Sequence, residues 1–371
     1  MTEIRRTFAA SSVILTLAAS GCHAMPTGNE LRSQTTISHI EAPYPEPRRG
    51  HSLSSNGSDI FLWGGHSGDQ SEAYSDGFIY LGDKQLWHPT PEPDLSPRSS
   101  HVSEWVNGEA YIWGGFLGGN STERFAKDGA AYSVADRTWR EIADAPSGRS
   151  FALSEISENH LFIAGGTGAE GTAEDLLLYS IEEDEWQAVD LSFPVYQMSL
   201  LEGGEVALTG GDGFDPRVAI FNPETLAVSD ATPPTFGSDE VYAMGLARGI
   251  SNGFTILHVG DKNYLHSFDG DHNLTDSTRV SGSVESAPAR FHQAPLGVGS
   301  MWHLTDTLTS SASDSEMFLI EENGRADRIP RSDLLNCRND PTSVRINGGF
   351  AMLGGLECPD EAFGYTFSLN K

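Results

Sequence analysis

Arginine and histidine recur together along this chain. Arg49 and His51 stand in "RRGH", Arg98 and His101 in "RSSH", Arg149 without a histidine in "GRSF", and Arg290 and His292 in "RFH". A guanidinium offers paired N–H donors to a carboxylate, and an imidazole exchanges protons near neutral pH. Gathered at one place, these side chains would make a site for a carboxylate or a sugar acid, with an acid–base group at hand. The competing reading is structural: each cation begins a strand and bonds to neighbouring loops.

Other reactive patterns are scarce. "DGDHNLTD" at 269–276 sets Asp269, Asp271 and Asn273 at calcium-loop spacing. It lacks the glycine and the closing glutamate of that loop, and it reads as a turn. "GGDGFDPR" at 210–217 is a similar acidic turn. "GGFLGG" at 114–119 has no βαβ pattern after it and is no dinucleotide fingerprint. Neither a nucleophile elbow nor a phosphate loop is present, so the expectation is no metal and no cofactor. With 52 acidic residues against 23 Lys and Arg, the formal charge is −29. That excess argues against nucleic acid, whose binding rests on cations, and against anionic membrane surfaces.

The elements that must position the cations come from a repeat. "IFLWGG" at 60–65 returns as "YIWGG" at 111–115, "LFIAGG" at 161–166, "VALTGG" at 206–211 and "FAMLGG" at 350–355. Between the last two lie worn copies, "TILHVGD" at 255–261 and "MWHLTD" at 301–306, giving seven units with a period near 50 residues. A second landmark keeps the register: Tyr80 and Trp87, Tyr132 and Trp139, Tyr179 and Trp186, then Phe221 and Val228. Each unit reads as strand, tight turn, strand ending in two glycines, long loop, strand, short turn, strand. Glycine tolerates positive φ and close backbone approach, so a strand can end where units crowd together.

Double glycine, then tyrosine, then tryptophan, at this period, resembles the kelch repeat over residues 37–371. The resemblance implies an all-β fold: a seven-bladed kelch-type β-propeller of four antiparallel strands per blade. The seventh unit ends at "FGYTFSLNK" without a fourth strand. "SHIEAPYPEPRRGH" at 38–51 resembles the end of the second unit, so the segment near Ile37–Ala42 is expected to complete the last blade. In such a propeller the cations would ring a channel mouth, on the face carrying the long loops 66–77, 116–129, 167–175 and 306–316. Cys337 and Cys358 would lie in two loops of that face; as the two cysteines left over in an oxidising compartment they suggest a disulfide, the alternative being a reactive thiol. Galactose oxidase sets copper in a kelch propeller, but the two thiols here fit a pair better than a copper site. Periplasmic kelch proteins resembling sialic-acid mutarotases share the fold, usually with six blades.

The N-terminus reads as an address. Two arginines in "MTEIRR" precede "TFAASSVILTLAAS", an uncharged run of 14 residues ending in "LAASGC". This is similar to a bacterial lipoprotein leader over 1–21 with Cys22 as the lipidated residue, followed by a tether over 22–36. His23, rather than Asp, after the cysteine points to the outer rather than the inner membrane; without lipidation the chain would be secreted. The expected function is a non-catalytic, envelope-anchored, monomeric scaffold binding a protein or a glycan. The alternative is a carbohydrate-active enzyme of the mutarotase type.

Overall fold

The structure, a computed structural model, describes residues 34–41, 48–67, 72–117, 124–212, 215–231, 241–248, 253–260, 262–280, 290–295, 300–305, 316–320, 326–328, 342–347, 349–354 and 362–370. Among them there is no helix, and the strands form seven four-stranded antiparallel sheets. The first contains Ser52–Ser55, Ile60–Trp63, Gly77–Leu81 and Leu86–Pro89; the second Val102–Val106, Glu109–Trp113, Gly129–Ser133 and Thr138–Ile142. The third contains Leu153–Ile156, His160–Ala164, Asp175–Ser180 and Glu185–Asp190; the fourth Val195–Leu200, Val206–Asp212, Asp215–Asn222 and Ala227–Asp230. The fifth is Val241–Arg248, Phe254–Gly260, Tyr264–Phe268 and Leu274–Arg279; the sixth Arg290–Pro295, Ser300–Thr305, Glu316–Ile320 and Ala326–Arg328. In the seventh, Thr342–Ile346, Gly349–Leu353 and Ala362–Asn370 are joined by Gln34–Glu41, which pairs antiparallel with Ala362–Asn370.

The glycine-bearing second strands are apolar on both sides because both faces are covered. One cluster joins Phe61 and Trp63 of the first sheet to Ala110 and Ile112 of the second. Another joins Tyr111 and Trp113 to Leu161 and Ile163, and a third Phe162 and Ala164 to Val206 and Leu208. The same layering places Ile40, Ala351 and Leu353 of the seventh sheet against Leu53, Ile60 and Leu62 of the first. Fourth strands are the exposed ones, as Leu86–Pro89 and Glu185–Asp190 show. The Tyr and Trp landmarks face each other across the third and fourth strands, with ring centroids 5.2, 5.0 and 5.0 Å apart in the first three sheets. Their tilted contacts fill space between sheets, as their size and polar tips suit.

First strands touch in the order Ser52–Ser55, Val102–Val106, Leu153–Ile156, Val195–Leu200, Val241–Arg248, Arg290–Pro295, Thr342–Ile346, and the last touches the first again. One boundary moves. The tether was expected to run through residue 36, but Gln34, Thr35 and Thr36 already pair with Asn370, Leu369 and Ser368. The alternation "QTTISHIE" carries β-branched residues that suit an outer strand even where few of them are apolar. Residues 1–21, where a leader was expected, and Cys22 lie outside the described residues, as do Cys337 and Cys358.

Candidate functional site

Arg49, Arg98 and Arg149 lie in short lead-in segments just before the first strands, and those of Arg98 and Arg149 are held from two sides. Arg98–Ser99 pairs with Phe116–Leu117 from its own sheet's long loop, and Arg149–Ser150 pairs with Thr167–Gly168. In the first sheet the same contact is a single bridge between Arg49 and His66. From the other side, the carbonyl of Arg98 accepts a hydrogen bond from Gly65 N–H at 2.9 Å, and that of Arg149 from Gly115 N–H at 2.9 Å. This crossing accounts for the glycines. A Cβ on Gly64, at φ +63°, would sit 2.8 Å from His101 Cε1 and 3.0 Å from Arg98 O. One on Gly354, at φ +73°, would sit 2.3 Å from His51 Cε1 and 3.2 Å from Arg48 O.

The arginine side chains turn back into their own sheets. Arg98 donates to both carboxylate oxygens of Asp128 at 2.7 and 2.9 Å and to Gly114 O at 3.3 Å. Arg149 donates to both oxygens of Asp175 at 2.9 Å and to Gly165 O at 3.5 Å. In the first sheet the equivalent residue is Arg48, which donates to Asp76 at 2.7 and 3.0 Å and to Gly64 O at 3.0 Å. The three arginines are 1–2% exposed. Burial pushes the Asp128 carboxyl up, but the Arg98 hydrogen bonds and charge outweigh it and hold it below its ordinary value.

These clamps correct the expected anion site. Arg98 and Arg149 already hold a carboxylate of the protein itself, each partly exposed. Arg49 is one residue off the repeat position: its backbone bridges to His66, while Arg48 makes the clamp. His51 and His101 are buried too, each against the glycines of the preceding sheet. His101 shares a hydrogen bond with Ser52 Oγ at 2.7 Å and meets the Trp63 ring edge-on at 4.8 Å. Burial and the Arg48 charge lower the His51 pKa to about 3, and burial and the Arg98 charge lower that of His101. Both rings are neutral at pH 7. Arg290 and His292 lie in the first strand of the sixth sheet, opposite Thr305 and His303; their side chains are outside the described residues. The acidic stretch at 269–276 is a turn, with the Asp269 carboxylate accepting from the N–H groups of Asp271 and Asn273 at 3.0 and 2.9 Å.

The clamp aspartates had a signal in the sequence. Asp76, Asp128 and Asp175 each stand at the start of a third strand, in "SDGFIY", "KDGAAY" and "EDLLLY".

Between the lead-in segments runs a second chain of contacts. Ser100 N–H donates to Gly50 O at 2.7 Å, and Phe151 N–H to Ser100 O at 2.9 Å. Gly50, Ser100 and Phe151 occupy one repeat position, each at positive φ: 59°, 55° and 56°. Glycine accepts that backbone freely, whereas a residue with a Cβ, serine or phenylalanine, is strained there. Phe151 is nevertheless 57% exposed, so it gains little burial in exchange. Tyr196, at the start of the neighbouring first strand, is 55% exposed. Gly165 and Gly166 bring the two lead-ins together, since a Cβ on them would meet Val195 O at 2.4 Å and Ser150 O at 2.6 Å.

Deeper along the first strands the lining is polar. Ser103 Oγ donates to Ser54 Oγ at 2.9 Å, and Ser154 Oγ to Glu104 Oε1 at 2.7 Å. Burial and the neighbouring Glu155 charge raise the Glu104 pKa to about 8.

Comparison with known proteins agrees with this architecture. Residues 27–200 match the KLHDC2/KLHL20/DRC7 Kelch-repeats domain family. Kelch-like protein 23 of Pongo abelii and of Homo sapiens are each 24% identical over 182 residues, 46% of this chain and 31% of theirs. Kelch domain-containing protein 2 of Mus musculus is 25% identical over 204 residues, 51% of this chain and 45% of its own. The chain thus spans less than half the length of these relatives.

Proposed function

We propose that this chain is a closed seven-bladed propeller acting as a non-catalytic, protein-binding scaffold, with the partner seated on the face that carries the glycine turns. The closed ring is supported by the return contact of the last first strand to the first and by the repeated glycine–arginine crossing. Gly354 meets Arg48 and His51 as Gly64 meets Arg98 and His101. The match to a Kelch-repeats domain family favours a scaffold, and the buried, carboxylate-held arginines speak against an anionic sugar as ligand.

One observation carries the binding reading: Phe151 is a bulky residue kept at positive φ and exposed, where the first two repeats use glycine and serine. Its backbone costs on the order of 1–2 kcal/mol, and more than half of its surface stays open to solvent. Exposed aromatic residues are what protein interfaces enrich. Tyr196, also exposed, stands at the start of the neighbouring first strand.

The test is site-specific photo-crosslinking. A benzophenone amino acid replacing Phe151 is expected to give one discrete adduct in a cell extract, cleaved by protease and untouched by glycosidase. The same group replacing exposed Leu86, on a fourth strand, is expected to give none. Equal, diffuse labelling from both positions would refute the assignment, and a glycosidase-sensitive adduct would make the partner a glycan.

The envelope location is part of the same proposal and rests on the leader-like sequence before Cys22. Fatty-acid probe labelling of the wild type, lost in Cys22→Ser, is the expected result. An unlabelled wild type would mean no lipid anchor.

A further inference from the structure

A second site lies on the opposite face, among the short turns. Between the third and fourth sheets is a cavity of about 150 Å³ whose lining includes His160, Leu178, Glu183, Glu185, Glu224 and Leu226. Ligand pockets for small molecules run from roughly 300 to 1,000 Å³. This cavity is below that range and suits one side chain.

The turn that forms one wall departs from the repeat. Two residues before each Trp or Val landmark, the chain is at positive φ: Gln85 at 52°, Arg137 at 58°, Asp184 at 51° and Leu226 at 57°. Three of these are polar, as an exposed turn requires. The fourth is a leucine that is 40% exposed at the cavity rim. It faces carboxylates from two different sheets: Glu183 and Glu185 on one side, Glu224 on the other. No Lys or Arg lines the cavity, and burial holds the His160 pKa down, so its ring adds no positive charge at neutral pH.

We infer that this cavity binds a lysine or arginine side chain of a partner polypeptide. The aliphatic stem would lie on Leu178 and Leu226, and the cationic head among Glu183, Glu185 and Glu224. A long cationic side chain is the one residue type with an apolar stem and a charge at its tip. The charge complementarity excludes an acidic or purely apolar occupant. This site is independent of the exposed Phe151, from which it differs in both face and chemistry.

The experiment is methyl NMR of the leucine-labelled full chain, titrated with the peptide acetyl-Gly-Arg-Gly-amide. Saturable shifts are expected at Leu178 and Leu226, and none with acetyl-Gly-Glu-Gly-amide. Because the chain is strongly acidic, a general attraction for cations must be separated from a site. The double variant Glu183→Gln/Glu224→Gln is expected to weaken binding about threefold to fivefold, as for partly exposed ion pairs. Glu92→Gln/Asp94→Asn, which removes two exposed charges elsewhere, is expected to leave it unchanged. Leu226→Asn keeps every carboxylate, suits the left-handed turn, and is expected to weaken binding through the lost stem contact. Absent shifts at the two leucines, equal weakening by the remote pair, or full binding by Leu226→Asn would each overturn the inference.

Discussion

Arg98 shows how a residue that looks like a ligand hook works as a strut. Its guanidinium joins the lead-in, the glycine turn and the start of the third strand, while its carbonyl holds the previous sheet. Removing it leaves Asp128 facing a cavity, although that carboxylate is partly exposed and recovers some hydration. Arg98→Ala is therefore expected to cost about 2–3 kcal/mol in denaturant melts, at or below the range for breaking fully buried pairs. Arg98→Lys should recover little of it, because an ammonium cannot reproduce two parallel N–H donors. Arg49→Ala should cost well under ~1 kcal/mol. A loss at Arg49 as large as at Arg98 would mean that the clamp assignment is misplaced. Titration gives a further check. The folded-state pKa of His51 lies near 3, below its unfolded value near 6.5, so its neutral form stabilises the fold fully above pH 6.5. That stability falls by about 1.4 kcal/mol per pH unit as the pH drops toward 3. Glu104 acts in the opposite direction. Its raised pKa means that stability is intact below about pH 4.5 and declines as pH rises through about 8. Because Glu104 is half-buried, Glu104→Gln is expected to recover about 1–2 kcal/mol at pH 9 and almost nothing at pH 4. Equal shifts at both pH values would show that the residue stays ionised throughout.

Strands and turns were the legible part of the sequence, because their signals are local. Two glycines after an apolar run, and a Tyr facing a Trp across a short turn, are visible in single units. Even the worn copies are found as second strands, Phe254–Gly260 and Ser300–Thr305. What the sequence does not show is who touches whom across 26 to 30 residues: that Asp76, Asp128 and Asp175 are the partners, and that Arg48 rather than Arg49 makes the first clamp. The "RR" doublet offers no local means of choosing between its members; only the bidentate contact does. The positive φ at Phe151 is likewise invisible, since sequence alone does not reveal that Gly50, Ser100 and Phe151 share a backbone state. The glycine turns make an element-scale test. Gly354→Ala combines positive φ with a clash at His51 and is expected to cost more than about 2 kcal/mol; Gly108→Ala, at φ +80° with nothing within 4 Å, should cost only about 1. Comparable melting losses would mean that crowding at Gly354 is relieved by small shifts. Truncation addresses the strand Gln34–Glu41 directly. A chain beginning at residue 42 should melt well below one beginning at residue 34, because it uncovers the Ala362–Asn370 edge and the Ile40 contact with the first sheet. Equal melting would remove that strand from the stable fold.

For the molecule as a whole, the repeated antiparallel sheets carry a departure from their own repeat at each end: Phe151 among the lead-ins and Leu226 among the turns. A protein with both sites occupied would bridge two partners, which is what a scaffold does. The most direct measurement concerns Phe151, because folding and binding pull there in opposite directions. Phe151→Gly removes the strained side chain and suits the left-handed backbone, so thermal melting should rise, by about 1–2 °C for a gain near 1 kcal/mol in a chain of this length. In parallel, the partner captured by photo-crosslinking should be lost when the crosslinker is placed at neighbouring Tyr196 in the Phe151→Gly background. A higher melting temperature with lost capture is the expected result. A lower melting temperature with capture intact would show that Phe151 serves the fold and that the partner binds elsewhere.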